Sequence, residues 1–451
     1  MKKTSTENSK TGKISIVGLG KLGACTLVAL ASKGFEVIGI DINKDAVDKI
    51  NKGIPPIYEP VLEPLLKLYK DRIKATIHHE EIKETDMTIF IVPTPSLPDG
   101  SFSTEYLEAA ILETGRCLPD SKKYHNFVVT STVLPGDMET KIKPLLEQCT
   151  NKTVGKELGL CYNPDFIALG NVINGLLSPG MVLIGESDKR AGDMVEQMHI
   201  RLTGVEITDK LSVSQTPIHR MSLYNAELAK ISLNAYVTMK ISFANTITQI
   251  CGKMPTGDAE KVLNAIGDDN RIGKKCLKPG LSFGGPCFPR DNKAFLHLLY
   301  PRPALSQATD TVNDMHIDYV AQILKDLTEE YHTDKISVLG LTYKPDTNIT
   351  EESAAIRIIK KLDKLKRIDV YDPSMPPVEL PKNVAYCVTP EECINNHKIC
   401  FIATPWKQFK EIYFKRAMWK NPAILDAWGL LPHLADDPDI DYRRLGKNAK
   451  T

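Results

Sequence analysis

Apolar residues fall in short runs rich in Ile and Val, separated by longer stretches with helical spacing. The first run, Lys13-Ile-Ser-Ile-Val-Gly-Leu-Gly20, ends in glycine and predicts a buried parallel strand. A helix is expected next, with Leu22, Leu27, Val28 and Leu30 on its apolar face. Glu36-Val-Ile-Gly-Ile-Asp41 predicts a second strand, and Met87-Thr-Ile-Phe-Ile-Val92 and Phe127-Val-Val-Thr130 predict two more. Strands alternating with helical stretches imply a doubly wound parallel sheet.

The last third of the chain repeats this plan. Lys335-Ile-Ser-Val-Leu-Gly-Leu341 echoes the first strand, and Asp369-Val-Tyr-Asp372 echoes the strand ending at Asp41. Lys398-Ile-Cys-Phe-Ile-Ala-Thr-Pro405 and Ala423-Ile-Leu-Asp426 echo the other two. Between the repeats, His219 to Cys251 is a stretch of 33 residues without Gly or Pro. As one helix it would span about 50 Å, long enough to bridge domains or build a subunit interface. The helical region should continue to about residue 330, broken by a loop from Gly273 to Asp291. The expected fold is α/β: two Rossmann-like doubly wound domains, residues 1–210 and 331–451, joined by a central helical domain, 211–330.

Composition narrows the function classes. The 451 residues carry 57 Lys plus Arg against 56 Asp plus Glu, without the basic excess of a nucleic-acid-binding surface. No run approaches the roughly 20 apolar residues that span a bilayer, and the polar start, MKKTSTENSKTGK, has no apolar core of a secretory signal. Ten cysteines at irregular spacing contain no C-x-x-C pair, so neither a disulfide framework nor a zinc site is expected. The expectation is a cytoplasmic, soluble, multidomain protein with reduced thiols, no metal, no nucleic-acid partner and no membrane insertion.

Gly18-Leu-Gly20-Lys-Leu-Gly23 lies between the first strand and first helix, with Asp41 ending the next strand. Gly18 permits the tight turn, Gly20 lets the backbone approach a pyrophosphate, and Gly23 allows close helix–strand packing. Asp41 would accept hydrogen bonds from a ribose diol and repel a 2′-phosphate, so NAD is expected rather than NADP.

Cys287 stands apart from the other cysteines, for which burial as small hydrophobes is the default. Its context is Phe283-Gly-Gly-Pro-Cys287-Phe-Pro-Arg-Asp291. A cysteine at a helix N-terminus beside Arg290 has its thiolate favoured, and Asp291 would sit one turn away. Local chemistry leaves both a nucleophile and a packed thiol open.

With these residues in view, the chain resembles the UDP-glucose and GDP-mannose type nucleotide-sugar dehydrogenases over most of its length. The resemblance rests on Gly18–Gly23 and on Ile91-Val-Pro-Thr-Pro95 followed by Asp99-Gly100. It continues through Ser131-Thr-Val-Leu-Pro-Gly136, Asn163-Pro-Asp-Phe166, Ala226-Glu-Leu-Ala-Lys230 and Asn234-Ala235. Asp269-Asn-Arg-Ile-Gly273, the Cys287 loop, Gly340-Leu-Thr-Tyr-Lys-Pro345 and Tyr371-Asp-Pro373 complete it. It implies oxidation of a primary alcohol to a carboxylate by two hydride transfers to NAD, through a thiohemiacetal and a thioester on Cys287. It further implies that Lys230 and Asn234 stabilise the alkoxide and oxyanions, and that Asp291 orients or activates water. Thr132 would lie near the nicotinamide and a catalytic water, and Asp165, where the family has glutamate, would serve as a base. Cofactor contacts would come from Gly18, Gly20, Leu22, Gly23, Asp41, Thr94, Thr132 and Arg290. Nucleotide-sugar contacts would come from Asp165, Lys230, Asn234, Arg271, Lys278, Gly284 and Lys344, with Arg271 reaching across a homodimer or higher homo-oligomer.

Four departures fall on the family pattern: Leu169 and Glu351 replace a glutamate and an arginine, Trp428 replaces a second arginine, and Pro286 replaces serine. Losing an arginine removes a bidentate contact to phosphate or sugar. The simplest substrate expectation is UDP-glucose. The alternatives are the same chemistry on a UDP-hexosamine or another nucleotide hexose, and a catalytically silent nucleotide-sugar-binding homologue.

Overall fold

A computed structural model describes residues 12–119, 121–167, 170–204, 216–302, 304–395, 397–412 and 422–448. The expected boundary at 210/211 and the departure at Leu169 lie outside the described residues. The chain divides into two compact units, Met1–Lys230 and Ile231–Thr451.

The first unit is built on an eight-stranded sheet. Its strands are β1 (Lys13–Val17), β2 (Glu36–Ile40), β3 (Ile73–Thr76), β4 (Met87–Phe90), β5 (His125–Val129), β6 (Leu158–Tyr162), β7 (Val182–Glu186) and β8 (Ile218–Met221). They lie in the order β3-β2-β1-β4-β5-β6-β7-β8. All neighbours are parallel except β6 and β7, so the expected all-parallel sheet is mixed at this one pairing. The order reverses between β1 and β4, and in open α/β sheets that crevice, at the carboxyl ends of the strands, receives ligands. The helix Lys21–Ser32 does not have a single apolar face. Every residue from Gly23 to Ala31 is buried, because it is covered on the side away from the sheet by helix Val172–Leu177 and by Leu62 and Leu66.

The second unit carries a six-stranded sheet made of β9 (Lys335–Leu339), β10 (Arg367–Tyr371), β11 (Val384–Tyr386), β12 (Ile399–Ile402), β13 (Ala423–Asp426) and β14 (Asp441–Arg444). Its order, β11-β10-β9-β12-β13-β14, reproduces that of the first six strands. The repeat extends to the first turn. Gly18 and Gly340 both have φ +97, and their N–H groups donate to Ile40 and Tyr371 carbonyls at 2.8 and 2.7 Å. Helix Ala304–Glu330 lays Ile317, Val320, Leu324 and Leu327 on this second sheet.

The long helix runs Leu223–Lys253 rather than from His219. His219, Arg220 and Met221 are taken into β8, where they pair with β7, and backbone hydrogen bonding there outweighs their local helical tolerance.

Candidate active site

In the first unit, the glycine turn opens into a cavity of about 620 Å³ lined by Gly18, Gly20, Leu22, Gly23 and Asp41. A Cβ at Gly18 would stand 2.2 Å from the Ile91 carbonyl oxygen, and one at Gly23 would stand 1.8 Å from that of Gly18. At Gly20 a Cβ would meet no protein atom within 4 Å. Two glycines therefore serve packing, while the third leaves bare backbone at the start of helix Lys21–Ser32. No side chain caps that helix start, which suits a pyrophosphate. Asp41 accepts the Leu19 N–H at 2.6 Å and the Asn43 N–H at 2.7 Å, which fixes its carboxylate at the cavity and leaves further lone pairs for a ribose diol. Its counterpart in the second sheet, Asp372, is fully buried and accepts from Leu341, Thr342, Ser374 and the Trp406 indole. The repeated turn is thus open to a dinucleotide only in the first sheet. A larger cavity of about 920 Å³ lies at the opposite, amino-terminal edge of that sheet, lined by Phe35, Met194 and Arg201. It contains none of the expected residues, so the glycine cradle rather than volume marks the site.

Beside this cavity, Thr94 Oγ1 donates to the Thr132 carbonyl at 2.8 Å. Lys230 is buried, and its Nζ donates to the Asp165 carbonyl at 2.8 Å while lying 4.8 Å from the Phe166 ring centre. Asp165 keeps part of its surface exposed, yet its carboxyl group sits deep. Burial pushes that carboxyl up to about 6, against the opposing pull of the Lys230 ammonium. A carboxylate tuned this way is a competent base near neutral pH. The preceding Asn163 is held by His199, whose Nε2 lies 2.8 Å from Asn163 Oδ1. Because Asn163 Nδ2 already donates to Leu183 O, this oxygen is the acceptor and Nε2 carries the proton. Burial pulls the His199 imidazole down to about 4, so it is neutral.

In the second unit, Cys287 is exposed and occupies the N-cap of helix Phe288–Leu298. The Asp291 N–H donates to the Cys287 carbonyl at 2.8 Å, as expected one turn on. Asp291 is buried, accepting from Asn234 Nδ2 at 2.6 Å and facing Arg290 Nε at 3.3 Å. The loop before the cysteine is clamped on every side. Asn313 receives the Phe283 N–H at 2.8 Å and donates to the Phe283 carbonyl at 3.1 Å. The Gly285 N–H donates to Glu351 O at 3.0 Å, and Gly285 lies against the Tyr343 ring at φ +81. A Cβ on Gly284 would come within 2.1 Å of the Glu352 carbonyl oxygen. At Glu351 it is the main chain that holds this loop, so replacing arginine by an acid there leaves the hold intact.

Trp428 packs its ring edge on Gly280, where a Cβ would stand 2.5 Å from Cζ3, and donates its indole N–H to Ala403 O at 2.9 Å. Arg271 is exposed and pairs with Asp269 at 2.7 Å, Lys278 is exposed, and Lys344 lies 5.9 Å from the Tyr343 ring centre.

The default for the remaining cysteines holds for six of nine. Cys117 and Cys149 are half-buried, and Cys276 is exposed on a lysine-rich turn, at φ +61. Sequence reasoning gave no role to Asn313, Tyr343, His199 and Glu227, although Tyr343 and Glu227 lie within the segments Gly340–Pro345 and Ala226–Lys230. None stands in a local pattern that announces its partner, since each acts on backbone or side chains far away in the chain.

The sequence matches, in order, the NAD binding domain of the UDP-glucose/GDP-mannose dehydrogenase family over residues 12–203, the central domain over 224–315 and the UDP binding domain over 337–433. The chain belongs to this family. It is similar to the UDP-glucose 6-dehydrogenase AglM of Haloferax volcanii, 32% identical over 88% of this chain and 92% of the relative. It is also 32% identical to the GDP-mannose 6-dehydrogenase of Pseudomonas putida, over 80% of each chain. Among solved structures, a UDP-glucose dehydrogenase from Pyrobaculum islandicum superposes with a TM-score of 0.84 at 28% identity, covering 98% of this chain and 99% of that one. As a family member, the protein is an NAD-dependent oxidoreductase of the nucleotide-sugar 6-dehydrogenase type. Among the described residues no helix is long and apolar enough to cross a membrane, and no cluster of three metal-ligating side chains occurs.

Proposed function

We propose that the protein oxidises UDP-glucose to UDP-glucuronate. The observation that carries the reading is Cys287, exposed at a helix N-terminus in a rigidly clamped loop, with buried Asp291 one turn behind it. Bound NAD supplies the hydride acceptor for both oxidations, alcohol to aldehyde and sulfur adduct to thioester. The chain does the rest. Lys230 and Asn234 hold the alkoxide and then the oxyanions by donating to the reacting oxygen. The Cys287 thiolate forms a C–S bond to the aldehyde carbon, which prevents escape of the aldehyde between the two oxidations. Ionised Asp165 takes a proton from water as that water adds to the thioester carbon. The C–S bond then breaks and the thiolate is restored. Asp291 and Thr132 orient the water.

Gly18, Gly20, Leu22, Gly23, Asp41, Thr94 and Arg290 serve the cofactor in this reading, and Arg271, Lys278, Gly284 and Lys344 serve the nucleotide sugar. We assign these roles to three domains, residues 1–210, 211–330 and 331–451. The working form is a homodimer. Tyr236, Phe243 and Ile250 recur every seven residues on the long helix and are each about half exposed, an apolar stripe suited to a second copy. The ten free cysteines fit a reducing, cytoplasmic setting. A second reading keeps the chemistry and changes the sugar. It is favoured by Trp428, which presents an aromatic edge where a charged contact to phosphate or sugar was expected.

The test is to supply purified protein with UDP-glucose, UDP-hexosamines and GDP-mannose and to count NADH per sugar. Two NADH per UDP-glucose is the expected result, with Cys287→Ser giving little turnover and a trappable ester. Preference for another sugar would replace the substrate, and no NADH with any sugar would overturn the reading.

A further inference from the structure

Glu227 is fully buried on the first part of the long helix, yet it is a carboxylic acid. Its Oε2 accepts the Gly136 N–H and its Oε1 the Met138 N–H, each at 2.8 Å. These donors lie at the end of the turn Ser131-Thr-Val-Leu-Pro-Gly136 and at the start of the helical segment that follows. Such N–H groups have no partner within their own helix, so a carboxylate from another element acts as a cap at long range. The other end of the same turn is also tied. Ser131 Oγ accepts the Val92 N–H at 2.9 Å, and Thr94 holds the Thr132 carbonyl at 2.8 Å. From Ser131 to Met138 every residue is buried except Thr132 and Pro135, which are half-buried. The turn is thus a rigid mount that presents Thr132, and Glu227 anchors its far end to the helix that also carries Lys230, three residues on.

Burying a carboxyl is expensive, and a hydrophobic residue would fill this space at lower cost. Burial indeed pushes Glu227 up to about 7, with Asp137 and Glu139 adding to the rise and the two backbone N–H groups opposing it. An apolar residue, however, could not tie the helix to two backbone donors.

We propose that Glu227 is a positioning residue for oxidation, which fixes the Thr132 turn to the helix segment bearing Lys230. It touches no substrate itself. The inference rests on the roles given above to Thr132 and Lys230.

The test is a double-mutant cycle of Glu227→Gln with Thr132→Ala. The amide in Glu227→Gln keeps the shape but turns an N–H₂ toward one of the two N–H groups. It should lower kcat by about 10- to 100-fold, the usual effect of an ångström-scale misplacement. The KM values for NAD and nucleotide sugar should stay within about threefold, because uniform binding is untouched. The double mutant should turn over within about twofold of Thr132→Ala alone, since residues acting as one unit are non-additive. Wild-type kcat in Glu227→Gln, or defects that multiply in full, would overturn the inference alone. Wild-type kcat in Thr132→Ala would overturn the assignment of Thr132 and this inference with it. If Glu227→Gln does not fold, Glu227→Asp retains the carboxylate one methylene short and is carried through the same cycle with the same criteria.

Discussion

Asp165 and Asp291 show how one residue type is given two environments. The Asp291 carboxylate is held by Asn234 and Arg290 beside the cysteine, whereas the Asp165 carboxylate receives no side-chain donor among the described residues and is raised to about 6 by burial. A group with this shift is a poor base below pH 6 and an available one above it. The sign is fixed by the proposed role, because the ionised form takes the proton from water. The hydrolytic step should therefore slow by about tenfold for each pH unit below 6, with a plateau above pH 7. Single-turnover measurement of product release from the acyl-enzyme across pH 5–8 checks this. In Asp165→Asn the slow rate should persist at every pH, and an unchanged profile in that variant would remove Asp165 as the base.

At the scale of elements, the glycines of the two loops do opposite work. Gly284 is needed because the strand-domain backbone at Glu352 occupies the space a side chain would fill. Gly284→Ala must displace main chain, so it should destabilise the protein by about 1–3 kcal/mol and lower kcat by shifting Cys287. Gly20 faces open space at φ −70, so Gly20→Ala should leave stability within about 0.5 kcal/mol of wild type and instead raise the KM for NAD. Thermal unfolding and steady-state kinetics on the pair separate the two cases. Equal melting temperatures for both variants would show that the Glu352 contact is not what fixes the loop.

For the whole molecule, the proposed homodimer is tested through the exposed stripe on the long helix and the Arg271 guanidinium, which is 87% exposed and, among the described residues, paired only to Asp269. If Arg271 serves the neighbour's nucleotide sugar, co-expression of Arg271→Ala with Cys287→Ser should restore one working site per mixed dimer. About a quarter of wild-type activity is expected from random pairing at equal expression, while each homodimeric variant stays impaired by its own defect. A monomer at working concentration, or no rescue, would return Arg271 to a structural role.

Much of this was legible along the chain. The β1 and β9 repeats, the glycine fingerprint with Asp41, and the loop around Cys287 depend on local order: a strand period, a turn needing glycine, a cysteine heading a helix. Local order cannot reveal a partner more than a few residues away. That is why the antiparallel placement of β7, the capture of His219 into β8 and the burial of helix Lys21–Ser32 on every side emerged only from packing. It is also why the roles of Asn313 and Glu227 could not be read along the chain, since they satisfy backbone groups 30 and about 90 residues distant. The same distinction separates Asp41 from Asp372. Both follow a second strand and accept an N–H from the glycine turn that precedes it in the chain, and only the folded surroundings, in which Trp406 and Thr342 consume one carboxylate, decide which of them can receive a ribose.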